Sequence, residues 1–330
     1  MKHFRALFPV AGLMATLFFV SVVSAQEINS PIGAKHVVLI GYDGYGGHYV
    51  HWDELPALTK LRDGGAWTLN MRCVLPSVSA INWATMLMGS GSELHGYRTW
   101  GSRVPDLPSR VLTENGKYPD IFYVIKKCYP DSTLFAAYSW DVIGDLIDAG
   151  AANETKSIGE RADSIFDYKG KGEIAKEDGT KTKITYPDAE QVCEVGIKYL
   201  EQNPTFTFLY FSEPDCVGHT CGWGTPQYYE TVQRQDKLLG KIIDYLEAND
   251  RFKDTVVIFI SDHGGTDKGH GGEIMEHMEV PFIIYGCGVK PGEISDVVMN
   301  YDVAATIAWI LGADTPQCWR GKPVTSAFGQ

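Results

Sequence analysis

The chain has 330 residues, 44% of them hydrophobic, and a formal net charge of -12 at pH 7. A chain of this length and composition can form one large domain with a well-buried core. Because a surface that binds a nucleic-acid backbone needs Lys and Arg, the acidic balance argues against a nucleic-acid duplex as the main partner, although it does not exclude a small phosphate ester.

The first 25 residues have the pattern of a signal peptide. Lys2 and Arg5 provide a positive start, residues 7–23 form an almost unbroken apolar run, and Ser24 and Ala25 supply the small residues of a cleavage site. Such a segment is removed on export, so we expect residues 26–330 to form a periplasmic or secreted chain with no stable membrane span. A membrane anchor is the alternative interpretation, but the apolar run is marginal for a spanning helix, which needs about 20 residues.

Three apolar segments, at residues 37–40, 206–211 and 256–260, are predicted to be buried strands, and residues 281–285 form a similar fourth. Continuous apolar runs, as opposed to alternating ones, are typical of a parallel sheet that is covered on both faces.

Helical patterns alternate with these strands. We predict three helices. One spans residues 187–200, a second begins after a cap at Thr225, and a third spans residues 302–311 and is ended by Gly312. The alternation indicates an α/β layered fold with a mostly parallel central sheet. Residues 156–186 differ, since they are rich in Gly, Lys, Asp and Glu and have little periodicity. They predict a small cap or insertion at roughly 150–187, with a hairpin around residues 178–179.

Polar residues follow each of the three strongest predicted strands. They comprise Asp43 after the first, Asp215 and His219 after the second, and Asp262, His263 and His270 after the third. Taken singly, an Asp after a strand is usually a turn residue or a helix cap. In open α/β sheets, however, ligands bind at the carboxyl ends of the strands, so we expect these side chains to converge on one site. Mixed Asp and His donors suit a cation such as zinc.

Ser79 is the candidate nucleophile of this site. Residues 80–88 look helical, which makes Ser79 the predicted N-cap, and a hydroxyl there lies where backbone N–H groups favour an anion. Ser77 is the rival nucleophile, and Ser79 as a simple helix cap is the alternative interpretation. Asn82, three residues after Ser79, is placed to donate a hydrogen bond to a phosphoryl oxygen.

Four segments together resemble the type I phosphodiesterase/nucleotide pyrophosphatase family of the alkaline phosphatase superfamily. They read VVLIGYDGYG, SAINWATMLMGSGSELHG, EPDCVGH and FISDHGGTDKGHGG, in the order that the family uses. The resemblance spans essentially the whole predicted mature chain. It implies an alkaline phosphatase-like α/β/α fold. One departure is Ile81, where many relatives carry Pro.

The resemblance also implies a site with two zinc ions. One ion would be held by Asp215, His219 and His270, and the other by Asp43, Asp262 and His263, with Ser79 as an additional ligand. Ser79 would be the nucleophile, Asn82 would bind the phosphoryl oxygen, and His95 would have a structural role.

The implied activity is that of a phosphodiesterase/nucleotide pyrophosphatase, which hydrolyses a small phosphodiester through a phosphoserine intermediate, with a nucleotide or lipid headgroup as the expected substrate. Two alternatives within the superfamily are a phosphomonoesterase and a phosphotransferase. A non-catalytic binding protein that retains the fold is the alternative from another class.

Overall fold

The computed structural model describes residues 27–158, 173–175, 181–183 and 189–329. The predicted signal peptide at residues 1–25 lies outside these residues, as do most of the predicted cap and the turn at residues 178–179. Within the described residues, no helix is long and apolar enough to cross a membrane.

An eight-stranded sheet lies at the centre of the described structure. Its strands, in chain order, are β1 (His36–Tyr42), β2 (Ala66–Arg72), β3 (Leu134–Tyr138), β4 (Glu154–Ser157), β7 (Phe206–Phe211), β8 (Thr255–Ser261), β9 (Glu279–Gly286) and β10 (Gly292–Glu293). Two further short strands, β5 (Glu173–Ala175) and β6 (Lys181–Lys183), pair antiparallel in a separate ribbon. The spatial order of the large sheet is β10-β2-β9-β8-β1-β7-β3-β4.

Five neighbouring strands of this sheet, β8, β1, β7, β3 and β4, run parallel. The predicted strand at residues 281–285 is part of β9, which runs antiparallel to both β8 and β2. A parallel neighbour needs a crossover connection back to the other end of the sheet. Residues 262–278 make no such crossover after β8, so the chain returns in the opposite direction.

Helices cover both faces of the sheet. They are α1 (Pro56–Gly64), α2 (Ser79–Met88), α3 (Ser92–His95), α4 (Ile121–Cys128), α5 (Ile143–Leu146), α6 (Ala189–Leu200), α7 (Glu213–Cys221), α8 (Pro226–Ala248), α9 (Met275–Met278) and α10 (Asp302–Leu311). Successive residues of β1 point to opposite faces. Val37 and Leu39 pack in one apolar cluster with α2, α4 and α10, whereas Val38 and Ile40 pack in another with α1, α6 and α8. The predicted α/β/α layers are therefore confirmed.

The predicted helix ends can be checked at two places. Helix α10 spans residues 302–311 as predicted, and Gly312 after it has the left-handed conformation, with φ 68°. The side chain of Thr225 accepts a hydrogen bond from the backbone N–H of Tyr228, which caps α8. Helix α6 begins at Ala189 in the described residues, and its predicted first residues at 187–188 lie outside them.

Candidate active site

The predicted polar residues meet at the carboxyl ends of three neighbouring parallel strands. Tyr42, the last residue of β1, pairs in register with Phe211 at the end of β7 and with Ser261 at the end of β8. Because the three strands end at the same level, the residues that follow them lie side by side.

These residues form two compact groups. One comprises Asp215, His219 and His270, and the other comprises Asp43, Asp262 and His263, with the potential ligand atoms of each group lying within 4.8 Å of one another. The groups adjoin, since Nε2 of His263 lies 4.0 Å from Oδ1 of Asp215. The structure thus brings all six predicted ligands together, divided as the family resemblance implies.

The Nε2 atoms of the two histidines of the first group face each other. Nδ1 of His219 lies 3.0 Å from the carbonyl oxygen of Lys268, and Nδ1 of His270 lies 2.9 Å from that of Ser77. A carbonyl only accepts hydrogen bonds, so in the neutral rings each Nδ1 carries the proton and each Nε2 keeps a lone pair. The two Nε2 atoms are 3.1 Å apart. Two facing lone pairs at this distance repel each other unless a cation lies between them.

His263 has the same tautomer in the second group. Its Nδ1 lies 2.9 Å from the carbonyl oxygen of Gly264, which leaves the Nε2 lone pair facing Asp262 Oδ2 at 3.4 Å and Asp43 Oδ1 at 3.5 Å. A hydrogen bond from the second ring nitrogen to a backbone carbonyl is the usual arrangement of a metal-ligating histidine.

Two carboxylate oxygens of these groups are buried without a hydrogen-bond donor among the described residues. They are Oδ1 of Asp215 and Oδ2 of Asp262. The Asp215 oxygen lies 3.5 Å from Nε2 of His219 and 3.7 Å from Nε2 of His270. Because buried polar atoms are normally paired, these oxygens fit the ligand role. The mixed nitrogen and oxygen donors of both groups therefore suit a cation such as zinc.

The pKa values of the carboxyl groups show that their ionisation is unfavourable without a cation. Burial and, to a lesser extent, the nearby Asp215 carboxylate together raise the pKa of Asp43 to about 7, against hydrogen bonds from Tyr210 and Trp83 that lower it. Burial also raises the pKa of Asp215 to about 6 and raises that of Asp262. Closely spaced buried carboxylates resist ionisation together unless positive charge is supplied. A bound dication provides that charge.

Ser79 faces the second group from the first turn of α2. Its Oγ lies 3.1 Å from Nε2 of His263 and 3.4 Å from Oδ1 of Asp43. The prediction that Ser79 is the N-cap is wrong, because Val78 occupies that position with extended φ and ψ of -135° and 157°. The backbone N–H of Asn82 bonds to the Val78 carbonyl at 3.2 Å, so the helix already includes Ser79. Its side chain is therefore turned towards the site and not towards its own backbone.

Ser77, the rival nucleophile, is engaged elsewhere. Its side chain is buried, and its Oγ donates a 2.8 Å hydrogen bond to the carbonyl oxygen of Gly272. Its own carbonyl is the acceptor for His270. Ser77 therefore ties the loop before α2 to the loop that carries a predicted ligand.

Asn82 does not have the predicted role of a free donor. Its Nδ2 donates to the carbonyl oxygens of Val74, Pro76 and Val78 at 3.0–3.3 Å, and its Oδ1 accepts from the N–H of Val74 and from Asn300. The side chain is fully buried. Both donor hydrogens are thus used to shape the loop before Ser79, and a contact of Asn82 with a phosphoryl oxygen stays a prediction.

His95 belongs to neither ligand group. It is fully buried, its Nδ1 accepts from the backbone N–H of Tyr97 at 3.2 Å, and its Nε2 lies 3.1 Å from Oγ1 of Thr85.

Tyr210 is a contact of the site that the sequence analysis missed. Its hydroxyl donates to Oδ2 of Asp43 at 2.5 Å, and Nε1 of Trp83 donates to the same oxygen at 2.9 Å. Within the apolar run at residues 206–211, Tyr210 reads as a core residue. The one signal in the sequence was that it lies near the carboxyl end of that strand, close to the expected site.

Comparisons with known proteins agree with this geometry. The sequence model that describes type I phosphodiesterase / nucleotide pyrophosphatase matches residues 37–277. Human ectonucleotide pyrophosphatase/phosphodiesterase family member 1 is 26% identical over 250 residues, which cover 73% of this chain and 25% of that protein. Venom phosphodiesterase of Naja atra is also 26% identical over 250 residues, which cover 73% of this chain and 27% of that protein. The chain thus spans about a quarter of the length of these curated relatives.

Solved structures show the same fold. Murine ectonucleotide pyrophosphatase/phosphodiesterase 5, in an inactive form with AMP, has a TM-score of 0.62 at 13% identity, and the match covers 86% of this chain and 96% of that one. BT1596, a 2-O GAG sulfatase, has a TM-score of 0.66 at 14% identity, covering 90% and 75%. At these identities the likeness shows the alkaline phosphatase-like fold alone.

Proposed function

The chain belongs to the type I phosphodiesterase / nucleotide pyrophosphatase family, and on that premise we propose that it is a two-zinc phosphodiesterase that uses Ser79 as its nucleophile. The observation that carries the proposal is the position of the Ser79 hydroxyl. It lies 3.1 Å from a nitrogen of one three-ligand group, and that nitrogen lies 4.0 Å from an oxygen of the other group. The hydroxyl therefore contacts one group directly, and that group adjoins the other.

Each proposed ion has its own set of three ligands. Asp43, Asp262 and His263 would hold the ion beside Ser79. Asp215, His219 and His270 would hold the other ion. When bound, such a pair of ions activates a hydroxyl or water at neutral pH and stabilises the attacking and leaving oxygens of an in-line displacement.

Ser79 performs the covalent step in this proposal. Its Oγ loses its proton and attacks phosphorus, an Oγ–P bond forms, and the bond to the leaving oxygen breaks, so that the alcohol or nucleotide departs with the electron pair and takes up a proton. Water then loses a proton and bonds to phosphorus, the Oγ–P bond breaks, the phosphate product departs, and Ser79 takes up a proton again. The N-terminus of the ten-residue helix α2 favours the negative charge of the phosphoryl group.

Two arginines that lie near Ser79 in the chain are paired with carboxylates, which supports a diester over a monoester. Nη1 and Nη2 of Arg103 each lie 2.7 Å from a carboxylate, those of Asp145 and Asp141, and Arg72 is paired with Glu279 at 2.9 Å. A monoester carries a second negative charge and benefits from an unpaired guanidinium. We therefore propose a phosphodiester substrate with a nucleotide or lipid headgroup. We also propose export, on the pattern of residues 1–25.

A metal analysis and a panel of three esters test the function. We expect two zinc ions per purified chain, and faster turnover of bis-p-nitrophenyl phosphate or a p-nitrophenyl nucleotide ester than of p-nitrophenyl phosphate. Faster turnover of the monoester would indicate a phosphatase. Transfer of the phosphoryl group to an added alcohol would indicate a phosphotransferase. A chain with zinc but no turnover of any ester would indicate a binding protein.

A further inference from the structure

Two buried aromatic side chains donate hydrogen bonds to one oxygen of Asp43. Nε1 of Trp83 lies 2.9 Å from Oδ2, and the hydroxyl of Tyr210 lies 2.5 Å from the same atom. All three side chains are at most 2% exposed. A buried donor pair of this kind fixes the carboxylate in one orientation, because rotating it would leave two buried donors unpaired.

The other oxygen of Asp43 is left for the site. Oδ1 lies 3.4 Å from Oγ of Ser79 and 3.5 Å from Nε2 of His263. The two oxygens of this carboxylate therefore have separate tasks, since Oδ2 is held by the protein and Oδ1 faces the nucleophile and the other ligands.

The fold around Trp83 is arranged for this contact. Trp83 lies four residues after Ser79 on α2, so both side chains are on one face of the helix and both reach Asp43. The indole ring packs against Gly41 of β1, where an added Cβ would meet ring atom Cζ3 at 2.7 Å. A glycine at this strand position thus makes room for the ring, two residues before the carboxylate that the ring binds.

Tyr210 is held in place by the same ring. It pairs in register with Gly41 across β1 and β7, and its ring meets that of Trp83 edge-on with the ring centroids 5.0 Å apart. The two donors therefore form one packed unit behind Asp43.

We propose that Trp83 and Tyr210 are positioning residues that set the metal affinity of the group formed by Asp43, Asp262 and His263. The inference rests on the proposed function, because it requires a cation in that group. Among the described residues, the indole N–H of Trp83 and the hydroxyl of Tyr210 donate to Asp43 and to no ligand of the other group, so we expect the main effect on one ion.

The chain contains matched controls for both side chains. Nε1 of Trp319 donates to the carbonyl oxygen of Pro119 at 2.9 Å, and the hydroxyl of Tyr129 donates to that of Leu311 at 2.7 Å. Both are buried polar contacts of the same chemistry, but their acceptors are backbone carbonyls outside the site. Trp319→Phe and Tyr129→Phe therefore remove the same donors without touching Asp43.

The test is a zinc titration of the full chain against a chromophoric chelator, with Trp83→Phe and Tyr210→Phe beside the two controls. We expect each site variant to bind one ion about 10- to 100-fold more weakly, as is typical when a partner of a metal ligand is removed. The other ion should bind as in the wild type, and the controls should bind both ions normally. Tyr210→Phe loses a single oxygen atom, so it serves if Trp83→Phe does not fold.

Two backgrounds identify the affected ion. In His219→Ala, which disrupts the other group, the remaining ion should be weakened by Trp83→Phe. In Asp262→Asn, which disrupts the group that contains Asp43, Trp83→Phe should not weaken the binding of the remaining ion. Unchanged zinc binding in both site variants would overturn the inference and leave the proposed function standing, as would an equal loss in the controls. A wild-type chain that binds no zinc would overturn both.

Discussion

Oγ of Ser79 lies 3.1 Å from Nε2 of His263, although 184 positions separate the two residues in the chain. The hydroxyl comes from the first turn of α2 and the imidazole from the residue pair that follows β8. Because the Nδ1 proton of His263 is directed to the carbonyl oxygen of Gly264, its Nε2 presents a lone pair to the hydroxyl. Ser77 makes no comparable contact, since its Oγ donates to Gly272.

Replacement of Ser79 tests its role as the nucleophile. We expect Ser79→Ala to lower kcat/KM for a phosphodiester by on the order of 10⁴-fold or more, because the covalent step is removed. The zinc content should stay near two ions per chain, since six other ligands remain. Steady-state kinetics and metal analysis of the same preparation measure both quantities.

Ser77→Ala is the matched control for that variant. It loses only a hydrogen bond to a backbone carbonyl, which contributes about 1 kcal/mol to stability, and it should keep most of the activity. An active Ser79→Ala beside an inactive Ser77→Ala would transfer the nucleophile to Ser77.

Metal removal tests the donor sets. Chelation should abolish turnover, and zinc should restore it better than magnesium, because three of the six donors are imidazole nitrogens and magnesium prefers oxygen. His219→Ala should lower the zinc content to about one ion per chain. His51→Ala, which removes an imidazole that stacks on Tyr229 away from both groups, should change nothing. Full recovery with magnesium alone would contradict the zinc assignment.

Asn82 should matter for stability more than for chemistry. Asn82→Ala removes the hydrogen bonds that shape residues 74–78, so we expect the free energy of unfolding to fall by about 2–4 kcal/mol in urea titrations. Asn249→Ala, at an exposed position where the amide donates to the carbonyl oxygen of Tyr245, should cost less than about 0.5 kcal/mol. An unchanged urea midpoint with a 100-fold lower kcat/KM would instead indicate contact with the phosphoryl group.

The sequence was sufficient to predict the centre of the fold. Strands β1, β7 and β8 are buried on both faces and therefore appear as continuous apolar runs. Strand β2 was missed because its residues, AWTLNMR, are only partly buried and mix polar with apolar side chains. The direction of β9 could not be predicted either, because it depends on the path of residues 262–278 and not on the composition of the strand.

The candidate site shows a similar division. The six ligands could be predicted because each lies in the segment that follows the end of a buried strand. The partners of Asn82 could not, since they depend on how residues 74–78 turn before α2. Tyr210 was missed for another reason, because a tyrosine whose hydroxyl binds a buried carboxylate has the same sequence pattern as one that fills the core.

His95 links stability to pH independently of the metal groups. Because its Nδ1 accepts from the backbone N–H of Tyr97, its Nε2–H donates to Oγ1 of Thr85, and the ring is neutral. Burial lowers the pKa of His95 to about 3. In the unfolded chain a histidine has a pKa of about 6.5. Between these values the unfolded chain holds a proton that the folded chain lacks, so stability that is present above about pH 6.5 is lost as the pH falls.

We therefore expect the free energy of unfolding of the wild type to fall more steeply with acidification than that of His95→Asn. The difference between the two curves should change by up to about 1.4 kcal/mol per pH unit between pH 6 and pH 4, the value for one proton. Asn keeps an acceptor near Tyr97 but does not titrate. Thr85→Val keeps the buried imidazole and should retain the steep curve, although it starts from a lower stability. Parallel curves for the wild type and His95→Asn, measured by urea unfolding at each pH, would show that His95 is protonated equally in both states.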